Sequence, residues 1–451
     1  MPDPSEHCLN ESDCLDTVET SRRDFMKRGL AAMGGLAALS LAEVDEAHGE
    51  VKAPGLGRPK GPDDEAYWSQ VRALFHFEQG LTYMNNGGLG VPPMFAAEAV
   101  CEGYRQFSRL GDGAKDPAYD LITEQVRPRL AKFIGAYHNE IALTRNATEG
   151  LNTIANGIDM KPGDEVLTST HEHPAGLDPW LLKSKRYGMV VRQIRIPSPP
   201  ESKEQVIDLF RKAITPRTKV LFFSHITRGP GLLYPAKELC TMAREHGLIS
   251  AVDGAQSIGM TPLDLHDMGC DLFATSLHKW MLTPVGTGLL YIRRNFQQNF
   301  WPLWAGNGNR PWDRDGAAAF QRYEAIGTYE QPVRTAVNVL LDLFDEIGFE
   351  HIVDRNRMLS DYLKVALQKL TRVKLMTSTS HELSSPSITS IEIDGMGAWE
   401  IYNRLSSEFN IKTSTGYADG NNLIRISTHC YNSRQDVDEL IAALKYMMPM
   451  T

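Results

Sequence analysis

Ala251-Val252-Asp253-Gly254-Ala255-Gln256-Ser257 and, one short apolar run later, Thr275-Ser276-Leu277-His278-Lys279-Trp280 are the stretches on which the reading of this chain turns. Each reads as a buried β-strand giving way to a polar turn, and each leaves a charged side chain at its carboxyl end, Asp253 on the first and Lys279 on the second. In an open parallel sheet, ligands collect in the crevice outside the carboxyl ends of the strands, so the two should converge although they lie far apart in the chain. A carboxylate and a lysine sharing a crevice with small and hydroxylated residues meet the needs of pyridoxal 5′-phosphate. The lysine amine forms a Schiff base with the aldehyde, and the carboxylate keeps the pyridine nitrogen protonated so that the ring accepts electrons.

Outward from these stretches, Glu165 to Thr168, Met189 to Ile196, Lys219 to Ile226, Leu248 to Val252, Asp271 to Thr275 and Thr287 to Ile292 are short, apolar and β-branched, which predicts buried strands. Between them, Pro174 to Tyr187 and Pro235 to His246 read as helices. Strands that alternate with helices predict an α/β fold with a mostly parallel sheet flanked by helices. Beyond about Gln331 the pattern changes to long helical segments, Val333 to Glu346 and Arg357 to Leu370, then strands at Ser387 to Ile393 and Leu423 to Thr428 and a last helix from Arg434 to Met447. The expected organisation is a large domain over residues 67–330, its first residues free to join its neighbour, and a smaller α+β domain over 331–451. Pro and Gly punctuate residues 51–66, which read as a linker.

With 42% hydrophobic, 23% charged and 8% aromatic residues over 451 positions, the composition excludes wholesale disorder, a collagen-like fibre and a polytopic membrane protein. A net charge of -9 offers no broad basic surface, so no nucleic acid partner is expected. The six cysteines, Cys8, Cys14, Cys101, Cys240, Cys270 and Cys430, are scattered without a C-x-x-C pair, which predicts neither a disulfide scaffold nor a structural zinc site. Residues 1–50 read as an address. Ser21-Arg22-Arg23-Asp24-Phe25-Met26-Lys27 precedes the weakly apolar Gly29 to Ala42 in the manner of a twin-arginine (Tat) export signal, and the apolar run is shorter than the roughly 20 residues of a spanning helix. Ser40-Leu41-Ala42 offers a cleavage site, and the alternative is an amphipathic tail that happens to hold two arginines. Tat export carries folded proteins, often around a cofactor, and predicts a periplasmic location in a bacterium.

As a set, seven motifs resemble the class V aminotransferases, a family of fold-type I pyridoxal phosphate enzymes, in the branch of isopenicillin N epimerase and cysteine desulfurase. They are Arg145-Asn146-Ala147-Thr148-Glu149-Gly150, His171-Glu172-His173, Ser224-His225 to Gly231, Asp253 to Gln256, Ser276-Leu277-His278-Lys279, Gly327-Thr328 and Ile424-Arg425-Ile426-Ser427. The likeness runs from about Tyr83 to the last helix. It implies Lys279 as the Schiff-base lysine, Asp253 as the pyridinium partner and Gln256 near the ring hydroxyl. Ala147, Thr148, Ser276 and His278 would hold the phosphate, His173 would stack on the ring and serve catalysis, Arg425 would clamp the substrate carboxylate, and Asn86 would join the substrate set. A homodimer is implied as well, with Thr328 reaching the phosphate of the neighbouring subunit. Two assignments also have independent physical reasons. Ala147-Thr148 precedes the helix-like Leu151 to Ile158, and a helix N-terminus favours an anion. The planar fork of Arg425 suits a carboxylate in a way that a lysine does not.

Taken singly, these residues have plainer readings. Asp253 can be a helix N-cap, Lys279 a solvated charge and Arg425 the partner of a buried carboxylate; their joint order favours the cofactor. His171 and His173, on one face of a strand, could form a metal pair, but no third ligand is evident nearby and no metal is expected. Trp180 and Trp280 read as core packing. Gly87-Gly88-Leu89-Gly90 runs into Val91-Pro92-Pro93 and does not complete a dinucleotide fingerprint.

One pyridoxal scaffold supports several reactions, so fold membership does not choose among them. A cysteine desulfurase needs a nucleophilic cysteine in the loop before the carboxylate-binding arginine, whereas Thr413 to Gly420 holds no thiol and Cys430, beyond Arg425, reads as structural. Thr227-Arg228 stands where many relatives carry an asparagine facing the ring hydroxyl. The shared early steps are an external aldimine and loss of the α-proton, with Lys279 as general base. The expectation is an epimerase-like enzyme acting on an amino acid or peptide-like α-amine, with an aminotransferase or carbon–sulfur lyase as alternatives; for inversion, His173 and Tyr417 are the candidate second acids. A non-catalytic binding protein on a degenerate fold is disfavoured by the retained Lys279, Asp253 and Arg425.

Overall fold

The computed structural model describes residues 51–110, 124–306, 319–418 and 420–448. The export-signal reading of residues 1–50, with Cys8 and Cys14, lies outside them. The first elements are helix α1 (Glu65–Arg72), strand β1 (Thr82–Tyr83) and helices α2 (Met94–Leu110) and α3 (Val126–Phe133). Strands and helices then alternate: β2 (Ile141–Thr144), α4 (Ala147–Gly157), β3 (Glu165–Ser169), α5 (Pro174–Tyr187), β4 (Val190–Ile194), α6 (Lys203–Ala213), β5 (Thr218–Ser224), α7 (Ala236–Glu245), β6 (Ile249–Asp253), α8 (Leu265–Met268), β7 (Leu272–Ser276) and β8 (Gly288–Ile292). Helices α9 (Thr335–Ile347) and α10 (Phe349–Leu367) lead into β9 (Val373–Leu375), β10 (Ile388–Ile393), α11 (Ala398–Phe409), β11 (Ile411–Lys412), β12 (Ser414–Ala418), β13 (Asn421–Ser427) and α12 (Arg434–Met447).

The main sheet has seven strands in the order β2-β8-β7-β6-β5-β3-β4. The pairs from β7 to β4 are parallel, and β8 runs antiparallel to both of its neighbours. Central strands β5 to β8 are almost wholly buried because helices cover both faces, which is why they read as continuous apolar runs. Edge strand β4 is largely exposed and carries Arg192 and Gln193. The expected α/β architecture is therefore observed. Strand β2 was not expected, because four residues, three of them apolar, running into a helix cap carry too little periodicity to be told from the helix itself.

A second, antiparallel sheet, β12-β13-β10-β9, packs its apolar face with α10, α11 and α12 around Leu363, Leu367, Ile391, Leu405, Ile424, Ile426 and Leu440. Thr413 to Gly420, read as a loop, is mostly strand β12 in register with β13, Ser414 facing Arg425; Asp419 lies outside the described residues. Strand β1 pairs in parallel with β11, which carries the following Asn85–Gly90 turn to the rim of the main sheet. The Pro/Gly stretch before α1 has no regular secondary structure, yet it is bound: the Gly55 and Gly57 amides donate to Glu346, Tyr67 Oη donates to the Gly57 carbonyl, and Arg355 donates to the Pro62 carbonyl. Pro and Gly there prevent helix and strand without releasing the chain.

Candidate active site

Strands β6 and β7 end side by side, and the turn after each delivers Asp253 and Lys279 to one cavity of about 370 Å³. Asp253 is buried, its Oδ1 accepting from the Ala255 amide at 2.9 Å. Burial raises its pKa, while the Ala255 hydrogen bond and the charge of Lys279 oppose the rise. Burial lowers Lys279 to about 8, against the pull of Asp253 and with the help of the positive charges of Arg425 and Arg228. Gly176, in the first turn of α5, is a glycine for contact reasons: a Cβ there would stand 2.8 Å from Phe222 and 3.3 Å from Asp253 Oδ2.

At the other end of the cavity α4 presents its N-terminus. Asn146 caps it, Oδ1 accepting from the Glu149 amide at 3.0 Å, and the Ala147 amide donates to Ser276 Oγ at 2.9 Å. With that oxygen serving as acceptor, the Ser276 hydroxyl proton is left for a further partner. His278 is held neutral, pushed down to about 4 by burial and the adjacent Lys279, and its buried Nδ1 has no hydrogen-bond partner. Ala147, Thr148, Ser276 and His278 all line the cavity. A dipole-favoured helix end and a spare hydroxyl proton are donors for an anion, and the neutral His278 adds a third when its proton sits on Nδ1.

His173 is the N-cap of α5, its Nδ1 accepting from the Ala175 amide at 3.0 Å, so the ring proton sits on Nε2. Burial and the charges of Lys279, Arg228 and Arg425 push its pKa down to about 4. A neutral imidazole suits stacking on a cationic ring and is a poor acid. His171 turns elsewhere, its Nε2 3.1 Å from Ser198 Oγ, so the two histidines lie beyond β3 and not together on a strand face. Among the described residues no three His, Cys, Asp or Glu side chains group as a metal site.

Gln256 lines the cavity while bracing two walls: Nε2 donates to the Gly87 carbonyl at 2.9 Å and Oε1 accepts from Trp280 Nε1 at 2.7 Å. Asn86, expected beside the substrate, is fully buried and does not line the cavity. Its Nδ2 donates to the Lys279 carbonyl at 3.2 Å and its Oδ1 accepts from Tyr431 Oη at 3.0 Å. The turn set aside as a dinucleotide motif thus fixes the lysine backbone. At Gly90 only glycine fits, because a Cβ would lie 2.1 Å from the Lys279 carbonyl oxygen. Trp180 and Trp280 are both buried, the first against Phe222 and the second beside His429.

Arg425, in β13, is 1% exposed and donates from Nη2 to Asn85 Oδ1 at 2.8 Å; its Nε has no partner. It lies behind the cavity wall, close enough for its charge to lower the basicity of Lys279 and His173. Thr328 is exposed in a bend and does not line the cavity of its own chain.

Sequence reasoning assigned no role to two neighbours. Glu172 spans strands that have parted: β3 and β5 stop pairing at Leu167 and Leu221, and beyond them Glu172 accepts from Ser169 Oγ and from Ser224 Oγ, each at 2.6 Å. Burial raises its carboxyl to about 7 against those two hydrogen bonds, and the charge of Asp253 adds to the rise. Arg228 follows β5 and lines the cavity beside Lys279. A carboxylate between two histidines was the available signal for the first; for the second it was the departure at Thr227-Arg228, an arginine where many relatives carry an asparagine.

The arrangement is a lysine of lowered basicity facing a buried carboxylate, with an anion cradle at the far end, and it fits pyridoxal phosphate. An aminotransferase class-V family model matches residues 108–440. The chain belongs to this family. Its cofactor is pyridoxal 5′-phosphate, which when bound supplies an aldehyde to an amine and a ring that accepts the electron pair left at Cα. Among similar class V proteins, isopenicillin N epimerase of Streptomyces clavuligerus is 30% identical over 395 residues, 84% of this chain and 98% of its own. Cysteine desulfurase of Haloferax volcanii is 27% identical over 398 residues, 81% of this chain and 88% of its own. The cystine C–S lyase C-DES, solved with its product cysteine persulfide, superposes with a TM-score of 0.73 at 25% identity, covering 81% of this chain and 97% of that one.

Proposed function

We propose that this pyridoxal phosphate enzyme is epimerase-like: it takes an amino acid or peptide-like α-amine, removes the α-proton and returns one, most like the isopenicillin N epimerase it resembles. The observation that carries this reading over desulfuration is the approach to Arg425. The residues before it form a hydrogen-bonded strand, Ser414–Ala418, with no thiol, and Cys430 beyond it is buried with its thiol pushed up to about 12. Lys279 Nζ moves the proton at Cα, its basicity lowered toward the pH at which a general base works best. Arg425 orients the α-carboxylate, Asp253 holds the proton on the ring nitrogen, and Ala147, Thr148, Ser276 and His278 hold the phosphate.

A carbon–sulfur lyase is the second reading, favoured by the likeness to C-DES. An aminotransferase needs the same lysine to carry the proton onward. Incubating the holoenzyme with L-amino acids in deuterated water separates them. Deuterium at Cα with appearance of the D-isomer is the expected result; pyruvate with sulfide, or a keto acid, overturns the epimerase reading. The Ser21–Lys27 stretch supports export from the cytoplasm, which fractionation of cells would test. Thr328, exposed in its own chain, supports a homodimer in which it reaches the partner subunit's phosphate site, and sedimentation would test the dimer.

A further inference from the structure

Two guanidinium groups meet at this site with no carboxylate to answer either. Among the described residues neither Arg228 nor Arg425 forms an ion pair, although Arg425 is buried and Arg228 half-buried. Among the described residues each donates to a neutral oxygen: Arg425 Nη2 to Asn85 Oδ1 at 2.8 Å, and Arg228 Nη2 to the Thr415 carbonyl at 3.3 Å. Register brings them together. Thr415 pairs with Ile424, so Arg228 is tethered to β12 at the position beside Arg425 on β13. The turn that carries Arg228 is pressed onto the same strand. A Cβ on Gly229 would fall 2.3 Å from the Tyr417 carbonyl oxygen, and Ser390 Oγ donates to the Gly229 carbonyl at 2.6 Å.

The two charges repel, and each is disfavoured chiefly by burial, with Arg228 adding to the burden on Arg425. The nearby carboxylates are committed elsewhere: Asp253 faces Lys279 across the cavity, and Glu172 is held by Ser169 and Ser224. The cofactor phosphate has its own donors at the start of α4. Buried like charges without counter-ions persist where a ligand supplies the opposite charge.

We propose that Arg228 is a specificity-determining residue that binds a second carboxylate of the substrate, so that the preferred substrates are amino acids with an acidic side chain, Arg425 taking the α-carboxylate and Arg228 the other. This rests on the amino-acid reading of the site above. Arg228 lines the cavity in its own right, and its planar fork is matched to a carboxylate.

The test is equilibrium binding to the holoenzyme, read from the visible absorption of the cofactor, with the isosteric pair L-glutamate and L-glutamine. Glutamate should bind about tenfold or more tightly than glutamine, and Arg228→Gln should bring the two within about twofold while leaving glutamine affinity in place. Arg228→Lys, which keeps the charge and loses the fork, should retain part of the preference. In parallel, glutarate should raise the Tm of the holoenzyme more than butyrate does, and Arg228→Gln should remove the difference. No preference in the wild type, or a preference that survives Arg228→Gln, overturns the proposal. So does an Arg228→Gln protein whose ligand-free spectrum and its pH titration change while the preference stays, since the arginine would then face the cofactor ring. Tight glutamate binding without deuterium exchange at Cα would defeat the epimerase reading and leave this one standing.

Discussion

Arg127 and Arg425 are two buried arginines, 2% and 1% exposed, and they are buried on opposite terms. Arg127, in α3, spends all three nitrogens: it forks onto Glu124 and Glu324 and donates to the Ile141 carbonyl, with Phe320 beneath its guanidinium. Glu324 in turn accepts from the Leu143 amide at 2.6 Å, so the ion pair pins the edge of the main sheet. Arg425 has one amide oxygen and an unpartnered Nε. A buried cation whose donors are all satisfied is part of the fold. One whose donors are left over behind the wall of a cavity is what the proposed clamp on a substrate carboxylate requires, and the same contrast sets Asp253 apart from the structurally paired Glu324.

The largest effect that would sharpen this contrast is expected at Arg127. Arg127→Ala strands two carboxylates, one of them buried, and should cost about 3–5 kcal/mol of unfolding free energy in a urea titration. Arg425→Ala should leave Tm level or higher, because it removes an uncompensated charge, while amino-acid binding to the holoenzyme weakens by about 10–100-fold. A large fall in Tm for Arg425→Ala would erase the distinction. Next comes Glu172. Its pKa in the folded chain is raised to about 7, so its protonated form stabilises the chain below the ordinary carboxylate range and that contribution is lost as pH rises through about 7. Glu172→Gln should therefore gain stability relative to wild type between pH 5 and pH 8, by on the order of 1–2 kcal/mol, as measured by denaturant titration at the two pH values. The smallest effect is kinetic. With Lys279 lowered to about 8, the rate at which apo-enzyme takes up pyridoxal phosphate should climb with pH and level off above about 8, where the amine is neutral; a rate still climbing at pH 10 would mean that Lys279 is an ordinary solvated lysine.

Much of this was legible in the chain. The central strands appeared as short β-branched runs because both faces of the main sheet are covered, the last helix, Arg434 to Met447, has its start marked by the Ser433 cap, and the Pro174–Tyr187 helix has its stop in Gly188. The strand before Arg425 was missed because Thr413 to Gly420 is rich in Thr, Ser and Gly, and its pairing partner, β13, decides it. Asn86 was placed with the substrate, and the structure shows its amide spent on the Lys279 carbonyl and the Tyr431 hydroxyl. A side-chain amide has the same identity in either role, and only the atoms around it distinguish them.

Period and length alone were enough to place Asp253 and Lys279 at the ends of buried strands, and the rule of parallel sheets puts such ends on one rim; that the two strands are neighbours is a fact of the sheet order. Tertiary structure alone decided what surrounds that pair: Glu172 bridging two separated strands, and Arg228 laid beside Arg425 across two sheets without a counter-ion. Hydrophobic pattern is a local property of the chain, whereas the cost of a buried charge depends on partners brought from anywhere in it, and those partners exist only once the chain has folded.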